Sequence, residues 1–221
     1  FDKTGIKPLI QALVNNGVSL YSTGGTESFI RDLGYEVNSV EGLTEYPSIL
    51  EGRVKTLHPK VFGAILNRTD NSSDQNELQK FEIPDFDLVV VDLYPFEKTV
   101  IGNASETEII EKIDIGGIAL IRAAAKNFNF VFCLSDKEDY PKFISLYKKS
   151  NGATSIEDRK EYAIKAFHIS SNYDTAIFKY FNKNQNRLKI SMSDAKLLRY
   201  GENPHQKGYF FGSLSDLLDQ L

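Results

Sequence analysis

Apolar positions divide the first forty residues into alternating elements. Ile6, Leu9, Ile10, Leu13 and Val14 recur at helical spacing, and Gly17 follows as a stop. A helix is therefore expected over 5–16. VSLYS at 18–22 is a short strand candidate. Phe29, Ile30 and Leu33 then mark one face of a second helix over 26–33, and YEVNSV at 35–40 alternates like a strand. Helix, strand, helix, strand is the order of an α/β fold with a parallel sheet.

The middle is less regular. Residues 41–60 hold two prolines and two glycines and are expected to be mostly loop. Val61, Phe62, Ile65 and Leu66 predict a helix over 61–67, and the polar run 69–77 reads as a surface loop or a helix start. Leu88 to Val91 form a continuous apolar centre, as in a central parallel strand covered on both faces. Residues 109–117 lead into a strong helix former over 118–127, and FVFCLS at 130–135 is another strand. Helix is expected in the second half of 136–149 and, as one piece or two, over 155–181. The polar run from 182 looks like a linker. The expected organisation is a first domain over 1–181, a linker over 182–198 and the start of a second domain over 199–221.

Composition narrows the functional classes. The 221 residues exceed one typical domain of roughly 150. With 41% hydrophobic and 25% charged residues, the chain has the balance of a folded globule. Its 26 basic and 30 acidic side chains leave a net charge of −4. A nucleic-acid partner, which needs an excess of Lys and Arg, is not expected. Any phosphate site must be a local cluster of cations. The single cysteine, Cys133, excludes an internal disulfide and a Cys-based zinc site, and its apolar surroundings predict a buried thiol. No apolar run approaches the ~20 residues of a membrane span, and the chain opens at Phe1 with no secretory signal. A cytoplasmic protein with no membrane partner is the expectation.

Four segments carry chemistry. In STGGT, a strand ends, Gly24 and Gly25 follow and a helix begins, so backbone N–H groups and the hydroxyls of Ser22, Thr23 and Thr26 can meet a phosphate. A plain tight turn competes with that reading. In GRVKTLHP, Arg53 and Lys55 are two apart with Thr56 beside them, which suits an anion; a solvated basic loop is the alternative. His58, next to Pro59, is most simply structural. DLYPF places Asp92 and Tyr94 beyond the end of the central strand, where open α/β sheets bind ligands. An aromatic turn packed on the core is the competing reading. In DIGGIALIRAAAKN, Gly116 and Gly117 open a helix whose N–H groups are available to an oxyanion, and Asp114 is an N-cap or an acid–base group. Arg122 and Lys126 lie four apart on one face. A straight helix would hold Lys126 ~18 Å from Asp114.

In this order and spacing, STGGT, GRVKTLHP, DLYPF and DIGG…RAAAKN resemble the IMP cyclohydrolase domain of the bifunctional AICAR transformylase/IMP cyclohydrolase family, within the methylglyoxal-synthase-like superfamily. The resemblance covers essentially 1–181, with AFHISSNYDTAI at 166–177 similar to the family's helical end. RYGENPHQ at 199–206 resembles the opening of the transformylase domain. What this implies is closure of formyl-AICAR, a purine nucleotide precursor, to IMP with loss of water. No metal or organic cofactor is implied for that step; 10-formyltetrahydrofolate would serve the transformylase domain. By motif match, Lys3, Ser22 to Thr26, Lys55 and Thr56 would hold the 5′-phosphate. Arg53, Asp92 and the backbone of Ile115, Gly116 and Gly117 would hold the base and its carboxamide. Lys55, Tyr94, Asp114 and Lys126 would form the catalytic group, and Arg199 and Tyr200 would help bind AICAR on the transformylase side. The resemblance also implies a homodimer.

The chain departs from the family pattern in three places. A strand and a Ser-rich segment usually precede DKTG, where this chain has Phe1, so a core strand and part of the phosphate site are expected to be absent. Asp92 stands where Asn is common, and an ionised Asp accepts but does not donate. The transformylase Lys-His segment is absent. Three rival readings follow: a non-catalytic nucleotide-binding regulatory domain, a methylglyoxal synthase acting on a triose phosphate, and an inactive fragment.

Overall fold

The strand expected at 18–22 is paired over Tyr21–Ser22 (β1) alone, in parallel with Asn38–Ser39 (β2). Between them runs a helix from Gly24 to Asp32 (α2), and before them a helix from Ile6 to Val14 (α1). The apolar run at 88–91 gives a strand over Leu88–Val90 (β3), parallel to Phe132–Leu134 (β4) with Val89 opposite Cys133. The computed structural model describes residues 2–182, 185–192, 195–203 and 205–212. It is an α/β arrangement whose parallel strands form two pairs.

Both pairs face the same two apolar layers. Leu88 and Val90 turn towards Leu9, Leu13, Phe132 and Phe143, while Val89 and Val91 turn towards Val61, Ile65 and Ile121. Alternation of side chains along a strand requires this division. β1 repeats it, with Leu20 on the first side and Tyr21 on the second. Yet β1 and β3 do not pair, and a cavity opens between them. Each strand thus has one partner and stays two or three residues long.

Helices cover both faces. Pro59–Leu66 (α4) packs on Gly116–Lys126 (α8), and α1 packs on Tyr140–Lys149 (α9). The buried Asn127 ties the first pair, its Nδ2 donating to the carbonyls of Ile65 and Asn67 at 2.8 and 2.7 Å. Cys133 is buried, as its apolar run predicts, and desolvation pushes its thiol up to about 12. Ser72–Lys80 (α5) resolves the polar run at 69–77 as a helix capped by Asn71.

One expectation holds with an addition and one needs correction. The segment 41–60 is mostly loop, as expected, apart from a short helix over Val40–Thr44 (α3), a helical turn over Leu50–Gly52 and the start of α4. The cap of α3 is the Ser39 hydroxyl, which accepts from the Gly42 N–H at 3.0 Å. The helix expected from Thr26 begins two residues earlier, because Gly24 takes a positive φ of 50° that lets the chain turn straight into α2. Short helices also lie over Phe96–Ile101 (α6) and Glu106–Glu111 (α7), the latter closed by a capping box from Ser105 and Glu108.

The chain divides into two compact units, 1–170 and 171–221, and the division falls inside a 26-residue helix from Ile156 to Phe181 (α10). The second unit contains an antiparallel pair, Ala195–Leu197 (β5) with Tyr209–Phe211 (β6). Among the described residues, no helix is long and apolar enough to cross a membrane.

Candidate active site

STGGT becomes a helix start open at its mouth. Thr23 is the N-cap of α2 in extended backbone, and no side chain caps the helix. Its first N–H groups and the positive end of its dipole therefore face outwards, as an anion site requires. Two ammonium groups stand over it. A Cβ placed on Gly25 would lie 3.8 Å from Lys3 Nζ, and one placed on Gly24 would lie 3.5 Å from Lys55 Nζ. Lys55 Nζ is equally close to Gly52, whose φ of 89° needs a glycine. The two residues before it, Leu50 and Glu51, also adopt left-handed backbone, at φ 52° and 56°. Such strain in non-glycine residues is concentrated where the fold holds a loop for a purpose, and this loop presents Arg53, Lys55 and Thr56.

The same loop meets the start of α8. A Cβ on Gly116 would stand 2.9 Å from Thr56 Oγ1. Asp114 folds back over the helix start, its Oδ1 accepting from the Gly117 N–H at 2.6 Å. The N–H groups of Tyr94 and Ile118 also reach this carboxylate, which joins DLYPF to DIGG. Burial raises the Asp114 pKa above the usual carboxylate range, and the three N–H groups oppose that rise. The availability of both Gly116 and Gly117 N–H groups to an oxyanion is therefore corrected. Gly117 is committed to Asp114, because a carboxylate with three donors in reach caps the helix itself.

Tyr94 is part-exposed at the mouth, with the Lys112 ammonium 5.4 Å from its ring centroid. Phe96, two residues on, is buried and fulfils the aromatic-turn reading of DLYPF. Asp92 Oδ2 accepts the Asp2 backbone N–H at 2.6 Å. Arg53 forms an ion pair with Glu111. His58 is structural: its Nδ1 accepts from the Lys60 N–H and caps α4.

Of the binding and catalytic residues expected in the first unit, all but Gly24 and Lys126 line one cavity of about 1660 Å³. That exceeds the few hundred to ~1000 Å³ of a small-molecule pocket. The excess lies inward, where the cavity continues between β1 and β3 among Leu9, Leu13, Leu20 and Phe132. Lys126 is not brought to this cluster. α8 is unbroken from Gly116, so Lys126 is exposed about 15 Å along the axis. Arg122 is likewise on the outer side, with its guanidinium over the Phe167 ring. Arg199 and Tyr200 belong to the second unit, where they are exposed and stack on each other. Asp2, Glu111, Lys112 and Lys137 were not singled out from sequence. Each acts through a partner 18 to 135 residues away, or by charge, and no local motif marks it. Among the described residues, no group of three His, Cys, Asp or Glu side chains could hold a metal ion.

Comparison with known proteins gives the family. The MGS-like domain family matches residues 5–119, and the AICARFT/IMPCHase bienzyme family matches residues 124–219. The chain is 52% identical over 222 residues to the bifunctional purine biosynthesis protein PurH of Bacteroides thetaiotaomicron, covering 100% of this chain and 44% of that protein. It is 43% identical to PurH of Dinoroseobacter shibae, covering 97% of this chain and 42% of that one. The chain thus spans less than half the length of these curated relatives. Among solved structures, the crystal structure of ForH aligns with a TM-score of 0.71 at 36% identity, over 84% of this chain and 95% of that one.

Proposed function

The chain belongs to the MGS-like domain family, and from that premise we propose that its cleft binds formyl-AICAR and closes it to IMP, the cyclohydrolase step of purine biosynthesis. One observation carries the reading. Four segments far apart in sequence meet in one cleft, with two ammonium groups over an uncapped helix start at one end and a half-buried carboxylate at another helix start. A regulatory domain that held only a phosphate would need the first of these and not the second.

The chemistry asks mostly for positioning. The carboxamide nitrogen is a poor nucleophile, and attack on the formyl carbon requires the two held in a near-attack pose. Lys3, Lys55 and the start of α2 anchor the phosphate. The nitrogen loses a proton as the bond forms. Asp114 is suited to accept it, since burial makes its carboxylate more basic than an exposed one. The formyl oxygen gathers negative charge, is protonated to a hydroxyl, and leaves as water with a second proton while the former formamido nitrogen gives up its hydrogen and forms the ring C=N bond. The Gly116 N–H and the Tyr94 hydroxyl are the groups in this reading that stabilise and protonate that oxygen. Lys126 enters only through the family resemblance. Formyl transfer from 10-formyltetrahydrofolate belongs, on the same reading, to the length of the relatives outside this span. A homodimer in the cytoplasm completes the proposal.

The test is absorbance-monitored conversion of formyl-AICAR to IMP by the chain, with Asp114→Asn beside it. Turnover that falls at least a hundredfold in the variant supports the scheme. IMP binding without turnover favours the regulatory reading, and neither binding nor turnover overturns both.

A further inference from the structure

Lys3 is one of the two cations over the anion cradle, and what fixes it there is Asp2. The Asp2 N–H donates to Asp92 Oδ2 at 2.6 Å, and Asp2 Oδ1 accepts the Thr4 N–H at 2.9 Å. The other carboxylate oxygen, Oδ2, is paired with the Lys137 ammonium. Lys3 therefore sits between two residues whose backbones are tied down, and its own carbonyl accepts the Ile6 N–H at 3.3 Å. Lys137 interacts with both carboxylates of this tie. Its ammonium carries the pair with Asp2 and also feels the charge of Asp92, and both raise its pKa.

We propose that Lys137 and Asp92 are positioning residues that hold the segment 2–4 against the ends of β3 and β4 and so place Lys3 in the anion cradle. This rests on the nucleotide reading above and adds to it a residue, Lys137, that lies outside the cleft. It also assigns Asp92 a different contact from the base contact implied by the family resemblance. An acceptor is all this contact needs, and a carboxylate supplies one. The Lys137–Asp2 pair is about two-thirds withdrawn from solvent. Half-exposed ion pairs contribute little to global stability, so loss of Lys137 shows in the placement of Lys3 and not in unfolding.

The experiment titrates IMP into the full chain by calorimetry, using wild type, Lys137→Met, Lys137→Arg, Lys3→Met and Lys3→Met/Lys137→Met. Lys137→Met weakens binding about fivefold, the upper end of what one such charge pair sets. Lys137→Arg restores it to within twofold, and in the Lys3→Met background Lys137→Met has no further effect. An equal loss in both backgrounds overturns the proposal, as does no loss from Lys137→Met where Lys3→Met weakens binding. If wild type does not bind IMP, the nucleotide reading fails, and hydrogen exchange of the ligand-free chain then decides the tie itself. The Thr4 amide exchanges at least fivefold faster in Lys137→Met if the tie holds, and an unchanged rate overturns it.

Discussion

Gly117→Ala sets two effects of opposite sign against each other. Alanine in the first turn of α8 gains up to about 1 kcal/mol of helix propensity over glycine. Against this, its Cβ would stand 2.6 Å from Asp114 Oδ2 and 2.9 Å from both Oδ1 and Cγ. Distances that short force the carboxylate to swing away. Asp114 cannot swing cheaply, since it is half-buried and held by the N–H groups of Gly117, Tyr94 and Ile118. Hydrogen bonds to a charged group contribute about 1.5–3 kcal/mol each. Losing one or two of the three outweighs the propensity gain and leaves a net destabilisation of about 1–4 kcal/mol. For a chain of this size, 1 kcal/mol moves Tm by ~2–4 °C, so a fall of roughly 2–16 °C is expected by circular dichroism at neutral pH. In an Asp114→Ala background the clash is gone, and Gly117→Ala then raises Tm slightly. A rise in both backgrounds would refute the claim that the Asp114 carboxylate is pinned over Gly117.

Two further outcomes follow from burial. Asn127→Ala strands the carbonyls of Ile65 and Asn67 without their donor, at about 1–3 kcal/mol each; a Tm change under 2 °C would contradict the tie between α4 and α8. Cys133 is 1% exposed with its thiol pushed up to about 12, so Ellman's reagent at pH 8 labels it only after unfolding in urea. Full labelling of the native chain within minutes would contradict the buried β4.

The elements legible in the sequence are those with a repeated apolar signal. Leu9, Ile10 and Leu13 announce α1, and Leu88 to Val91 announce β3, because burial of a whole face leaves its period in the chain. α3 is too short for a period, and its only mark is the Ser39 cap. The gap between β1 and β3 is not legible from any one segment, since it depends on which strands find partners. For the site, the segments were legible and the wiring was not. STGGT, GRVKTLHP, DLYPF and DIGG each show residues fit for their chemistry. That Asp114 consumes the Gly117 N–H, or that Lys137 reaches Asp2 across 135 residues, is decided by tertiary contacts alone. Lys126 is the opposite case: a residue type fit for catalysis lies at the far end of α8, away from the cleft residues.

The central claim is that these four segments form one nucleotide site, and a crystal structure of the chain with IMP tests it most directly. The account predicts the phosphate at the start of α2, within hydrogen-bond reach of Lys3 and Lys55 Nζ, with the base lying towards Asp114 and Gly116. IMP bound elsewhere, or with its phosphate away from Gly24 and Gly25, would contradict it.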